Sequence, residues 1–353
     1  MKLHQTQTEF NCGIDLHARS MYICVMEREG NILVHRNVRG NDFEYFLKLV
    51  EPYRHDLTVA CECTFNWYWL CDACADADVR FVLGHALYMK AIHGTKTKND
   101  KVDSEKIAHL LRSSMLPEAY CCSPEKRPVR DLLRRRIWLV RLRARVEGRM
   151  NAGVQVHGQV PLTRSETRAA TKHLEMPDRY DNELLQLAMK SDCEVSHFLH
   201  RQILDIENAI MKHTRANSPV EFLQLKSVPG FGMILPWVVL YEVDQISRFP
   251  TVRDFCSYAM LVPPGSESAG KTVGVQGRKM GNHYLKWAFI QAVIIAKRAA
   301  PFKKYADRLT AKHGKRRANT ILAHRLAIAV YFMLRNHTVF DMAAYLKGKV
   351  KMA

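Results

Sequence analysis

Four carboxylates stand where one cation could gather them. Asp15 closes the apolar run 10–15, and Glu62 closes the run 57–62. Asp100 and Asp103 lie in Lys98-Asn99-Asp100-Lys101-Val102-Asp103, at the start of a helical pattern. A spacing of three puts both on one face of a first helical turn. Singly, each has a plain structural explanation: Asp15 can open a turn, Asp100 can cap a helix, and Asp103 suits a helix N-terminus. Jointly they point to other chemistry. Converging carboxylates repel one another unless a cation lies among them, and hard oxygen ligands suit Mg2+ or Mn2+. An ion held this way can activate an attacking oxygen and stabilise a departing one at phosphorus.

Elements of two kinds must position these acids. Strand patterns cover 10–15, 21–27, 32–38, 57–62 and 79–83, with a hairpin at Arg28-Glu29-Gly30-Asn31. Helical patterns cover 42–50, with Asn41 as its expected cap, 66–77, and 103–115, which sets Ile107, Leu110 and Leu111 on one face. Three hairpin-connected strands followed by alternating helices and parallel strands describe an RNase H-like (RuvC-like) α/β domain over 1–120. In such a sheet the first and fourth strands are neighbours, which would set Asp15 beside Glu62. Beyond it the strand signal disappears. Amphipathic stretches 129–150 and 183–213 flank an interruption at 153–161, so 121–218 reads as a helical, coiled-coil-like region, either an antiparallel pair or an intermolecular coiled coil. A mainly α domain over 219–353 opens on Ser227-Val228-Pro229-Gly230-Phe231-Gly232, which is similar to the turn of a helix-hairpin-helix or is an ordinary interhelical turn. A Pro/Gly/Ser-rich loop at 263–277 precedes helical stretches at 284–299 and 321–334.

The charge balance implies a polyanionic partner. Lys and Arg number 53 against 35 Asp and Glu, a formal net charge of +18. Nine arginines between Arg127 and Arg149, among them Arg134, Arg135 and Arg141, spread around one helix with little acid nearby in sequence. A solvated face is the alternative to phosphate contacts. Lys271, Arg278, Lys279, His283 and Lys286 form a second basic group, and Lys312-His313-Gly314-Lys315-Arg316-Arg317 a third. No apolar run approaches the ~18 residues of a membrane helix, and the first ten residues lack a secretory apolar core. The ten cysteines follow no framework spacing, as expected of a cytoplasmic chain. Cys61, Cys63, Cys71 and Cys74 have a zinc-like spacing, but small packing residues explain them.

Gly13-Ile14-Asp15, Glu62-Cys63-Thr64 and the stretch from Thr97 to Ser104 resemble the successive motifs of the DEDD insertion-sequence transposases, the family related to the Piv-like invertases and described as bridge-RNA-guided serine recombinases. Arg248-Phe249-Pro250, Phe255-Cys256-Ser257-Tyr258-Ala259, Leu261-Val262-Pro263 and Gly281-Asn282-His283-Tyr284-Leu285 continue the resemblance in order, from Gly13 to Asp341. It implies that Asp15, Glu62, Asp100 and Asp103 are catalytic acids holding Mg2+ or Mn2+. It also implies a catalytic serine in the loop after Leu261-Val262-Pro263. By motif order this is Ser268, with Ser266 the alternative, and it would form a phosphoserine link to DNA. The partners implied are donor and target DNA, a bridge RNA, and further copies of the chain: a dimer at least, and a tetramer if the family holds. The location implied is the prokaryotic cytoplasm, at the nucleoid. The chain departs from relatives at Cys63-Thr64-Phe65, where Ala-Thr-Gly is usual, and at Gly84-His85-Ala86, where a strand usually ends in Asn-Pro. Two other readings remain open: a metal-only, RuvC-like Holliday-junction nuclease, which needs no serine, and a non-enzymatic nucleic-acid-binding protein.

Overall fold

Period-two alternation of apolar residues builds a five-stranded sheet. The computed structural model describes residues 2–92, 99–167, 170–262, 267–268, 271–272 and 280–347. In the first of two units, Met1–Pro124, the elements run β1 (Phe10–Leu16), β2 (Ser20–Glu27), β3 (Ile32–Arg39), α1 (Phe43–Val50), β4 (Leu57–Glu62), α2 (Trp67–Asp76), β5 (Arg80–Gly84), α3 (Ala86–Ile92) and α4 (Asp100–Arg112). The sheet order is β3-β2-β1-β4-β5. β1 is antiparallel to β2 and parallel to β4, and β4 is parallel to β5. This mixed sheet with helices agrees with the RNase H-like expectation.

The two sheet faces bury different helices. Cys12, Ile14 and Leu16 of β1 and Val59 and Cys61 of β4 pack with Phe46 and Val50 of α1 and Trp67, Leu70 and Cys74 of α2. On the opposite face Ala60 meets Ile107, Leu110 and Leu111 of α4, while Cys24 and Met26 meet Ala108. Two expected boundaries move. Asn41 does not cap α1: it adopts a left-handed φ of 53°, and its side chain donates to the carbonyls of His17 (3.1 Å) and Ala18 (3.2 Å). Asp42 caps instead, accepting from the Tyr45 N–H at 2.9 Å. The helix expected at 103–115 starts earlier, at Asp100, because Asn99 takes the cap and accepts from the Lys101 N–H.

The second unit, Glu125–Ala353, is helical. It runs α5 (Arg127–Val156), α6 (Ala170–His173), α7 (Glu183–Asn217), α8 (Pro219–Lys226), α9 (Ile234–Val243), α10 (Val252–Tyr258), a minimal ribbon of β6 (Glu267–Ser268) and β7 (Lys271–Thr272), then α11 (His283–Ala296), α12 (Phe302–His313), α13 (Lys315–Asn336) and α14 (Met342–Lys347). α5 and α7 are antiparallel: Arg136 pairs with Glu207, Arg143 meets His200, and Arg149 pairs with Asp192. Leu139, Val146, Met150 and Val154 face Met189, Cys193, Leu199 and Ile203 between them. The expected interruption at 153–161 falls where α5 ends, at Val156. Gly153 lies inside α5, where a helical glycine costs only about 1 kcal/mol. The larger core gathers Trp237, Tyr241, Phe255, Phe289, Ala292, Leu322 and Leu326, and Val129, Leu133 and Ile137 of α5 join it.

Candidate active site

Asp15 and Asp100 come together because one residue of β1 has no side chain; Glu62 and Asp103 are not in the group of ligand atoms that they form with His17. Strand alternation puts Gly13 and Asp15 on the face that α4 covers, opposite Cys12, Ile14 and Leu16. A Cβ on Gly13 would lie 2.2 Å from the Ser104 carbonyl oxygen and 2.3 Å from the Ala108 nitrogen. The backbone of α4 therefore sits directly on β1. Asp100, Ser104 and Ala108 follow at spacings of four, one stripe of the helix. Seating Ser104 and Ala108 on Gly13 carries Asp100 forward to the strand's end, where Asp15 stands. β1 and β4 pair in register as far as Ile14 and Cys61, and Asp15 and Glu62 are the next residue of each strand. Glu62 shares its face with Ala60, which packs against Ile107. Asp103, one turn before Ile107, is near enough for its charge to act on Asp15. The N-terminal end of α4 favours negative charge here.

Asp15 and Asp100 meet through a histidine. His17 Nε2 lies 3.2 Å from Asp15 Oδ2 and 3.3 Å from Asp100 Oδ1. Among the described residues, Asp15, His17 and Asp100 are the group of three whose ligand atoms all fall within 4.8 Å of one another. Burial pushes the Asp15 carboxyl up; His17 opposes the shift, and repulsion from Asp100 and Asp103 adds to it. Asp103 also pairs with Lys106 at 2.6 Å. Glu62 is half-buried at the end of β4, beside Gly84 of β5. His17 escaped the sequence reading, although Asp15-Leu16-His17 carried a signal: two residues past Asp15, strand alternation returns to the same face. Its backbone is fixed, since its carbonyl accepts from Asn66 Nδ2 at 2.9 Å and its N–H donates to the Ser20 carbonyl at 2.9 Å. The departure at Cys63-Thr64-Phe65 leaves Phe65 83% exposed next to this site.

Known families match both units of the chain. Residues 12–157 match a family described as transposase, of the DEDD, IS110 type, and residues 223–307 match the transposase IS116/IS110/IS902 family. The chain carries the domains of an IS110-family transposase. Enzymes of this class cleave and rejoin DNA. The chain is 22% identical over 352 residues to the transposase for insertion sequence element IS1111A of Coxiella burnetii, spanning 94% of this chain and 91% of that one. It is 31% identical over 144 residues to an insertion element IS110 uncharacterized 43.6 kDa protein of Streptomyces coelicolor. That match spans 40% of this chain but only 34% of the relative's length.

The second unit holds its arginines in two ways. The expectation that little acid lies near the run fails in three dimensions, because α7 and α9 bring acids to it. Arg134, expected at phosphates, donates through Nε and a terminal nitrogen to both oxygens of Glu242, at 2.7 Å each, and lies over the Tyr284 ring. Glu242 is 2% exposed and also accepts from Asn282 Nδ2 at 2.7 Å. Arg136 donates twice to one oxygen of Glu207, and Arg149 pairs with both oxygens of Asp192. Arg135 and Arg141 are exposed, as are His283 and Lys286 at the start of α11. Arg135 lies over the Trp138 ring, itself 52% exposed. Although the residue is exposed, partial desolvation of its ring lowers the His283 pKa; Glu242 opposes the shift, and Arg134 and Arg141 add to it. The helix-hairpin-helix expectation meets a packing explanation at Gly230. Its φ is +81°, and a Cβ there would lie 2.1 Å from the Ala292 carbonyl oxygen, so the turn is pressed against α11. Nothing lies within 4 Å of the corresponding position on Gly232. Ser268 and Lys271 enter only as backbone partners in the β6–β7 ribbon. Ser266, Arg278 and Lys279 lie outside the described residues. Among the described residues no helix is long and apolar enough to cross a membrane.

Proposed function

We propose that this transposase cuts and rejoins donor and target DNA with two groups: a divalent metal, Mg2+ or Mn2+, held by Asp15, Glu62, Asp100 and Asp103, and the hydroxyl of Ser268. The observation that carries the metal half is the seating of α4 on Gly13, which delivers Asp100 to within reach of Asp15. The donor set fits the ion, being carboxylate oxygens partly open to solvent at a helix N-terminus. When bound, a divalent ion supplies charge stabilisation at phosphorus. The chain's own residues do the rest. Asp15, held by burial and by α4, fixes one side of the site. Ser268 Oγ forms its bond to phosphorus as the bond from phosphorus to a deoxyribose oxygen breaks. The serine proton passes to solvent, and the departing oxygen takes one up. The phosphoserine ester conserves the phosphodiester energy, so rejoining is the same step reversed. Arg135, Arg141, His283 and Lys286, with Lys271, Arg278 and Lys279, would contact nucleic-acid backbone. A bridge RNA would select both DNAs by base pairing. Domains over 1–120, 121–218 and 219–353 would divide the metal site, oligomerisation and the serine loop, and the two half-sites would meet between protomers of a dimer or tetramer.

The test uses a gapped DNA substrate, which stalls the reaction after cleavage. Labelled DNA should stay on the denatured protein, and mass spectrometry should find the nucleotide on the peptide holding Ser268. Ser268→Ala should abolish adduct, cleavage and joining, while Ser266→Ala is much milder. Plain hydrolysed ends without an adduct, or normal cleavage by Ser268→Ala, would replace this reading with the metal-only RuvC-like nuclease.

A further inference from the structure

We infer that His17 is a nitrogen ligand of the metal, and that it biases the site towards Mn2+ over Mg2+; the inference rests on the metal reading above. A single atom, Nε2, stands 3.2 Å from Asp15 Oδ2 and 3.3 Å from Asp100 Oδ1. Ligand atoms sharing an edge of an octahedron with bonds of about 2.1 Å stand about 3.0 Å apart. The imidazole nitrogen is thus spaced from each carboxylate oxygen as one vertex from its neighbour, and all three ligand atoms lie within 4.8 Å of one another. An imidazole serving only as a charged hydrogen-bond donor would close on one carboxylate at about 2.7–2.9 Å. Here it straddles two at longer range.

The surroundings hold the ring for this role. Asn66 and Asn41 both donate to the His17 carbonyl, at 2.9 and 3.1 Å, so the side chain leaves a fixed backbone. It is 48% exposed, against 17% for Asp15, which leaves an approach for a hydrated ion. Mg2+ demands oxygen ligands and near-ideal geometry, whereas a first-row transition ion accepts imidazole beside carboxylate. A site of four acids alone would not discriminate in this way. Nitrogen added at its solvent side makes Mn2+ the favoured ion.

The experiment uses the full chain with Mn2+ alone and reads nitrogen-14 coupling to the bound ion by pulsed electron paramagnetic resonance, with Asp15→Asn and His17→Ala alongside. Wild type should show coupling to one imidazole. His17→Ala should still bind Mn2+ through the carboxylates but lose the coupling. Its preference for Mn2+ over Mg2+, measured by competition, should fall about tenfold or more. Unchanged thermal unfolding of His17→Ala, as its exposure implies, separates ligand loss from misfolding. Mn2+ bound by the wild type without nitrogen coupling overturns the role of His17 and leaves the metal reading standing. So does coupling that persists in His17→Ala. If the wild type binds no Mn2+, or Asp15→Asn binds it equally, the metal reading fails and this inference falls with it.

Discussion

Adding one methyl group at Gly13 should disable the site from beneath. The new Cβ would lie 2.2 Å from the Ser104 carbonyl oxygen and 2.3 Å from the Ala108 nitrogen. Both are backbone atoms of α4, so no rotamer change relieves the clash. To restore an ordinary contact of 3.4 Å, α4 must retreat by about 1.2 Å. Overpacking of this kind costs about 1–3 kcal/mol. At roughly 4 °C per kcal/mol for a unit of this size, the first unit should melt about 4–12 °C lower. A catalytic effect should accompany the loss of stability, because the retreat carries Asp100 and Asp103 away from Asp15. A displacement of about 1 Å at a reacting centre can cost about a hundredfold in rate. The assays are thermal unfolding of full-length Gly13→Ala by circular dichroism, and strand cleavage measured well below its melting point. A variant that melts and cleaves like the wild type would refute the claim that α4 is seated on this glycine.

Three further outcomes follow from the second unit. Arg134→Ala leaves the Glu242 carboxylate buried without its bidentate partner, so the chain should lose about 3 kcal/mol, the low end for a broken buried pair because Asn282 stays on Glu242. Replacing exposed Arg135 and Arg141 with Ala should leave the melting temperature unchanged and flatten the salt dependence of nucleic-acid binding by about one to two in log–log slope; calorimetry and binding titrations at several salt concentrations separate the two classes. Gly148→Ala, inside α5 with nothing within 4 Å of the new methyl group, should stabilise the chain by about 0.5–1 kcal/mol in chemical denaturation.

The strands were legible because a strand's signal is local. Alternation over 10–15 and 57–62 located β1 and β4 to within a residue and put Asp15 and Glu62 at their ends. The long helices were legible for the same reason, since 3.6-residue periodicity runs through 129–150 and 183–213. Where periodicity is absent, so was the expectation. α9, Ile234–Val243, buries every residue from Leu235 to Val243, and a helix apolar all round offers no stripe to read. Caps slipped by one residue, because Asn41, Asp42, Asn99 and Asp100 all have side chains that can cap and only the surrounding contacts choose among them.

What tertiary structure alone decided is which groups face each other. The sequence contains Gly13, but its purpose depends on Ser104 and Ala108, about ninety residues on, arriving at its Cα. It contains His17, but the histidine becomes part of the site only once α4 has docked and Asp100 stands opposite. It contains nine arginines on one helix, and composition alone cannot tell Arg134 from Arg135. α9 neutralises the first by burying Glu242 against it and leaves the second in solvent. Pairing energy depends on distance and burial, and both belong to the packed chain, whereas alternation and helical periodicity are properties of neighbouring residues.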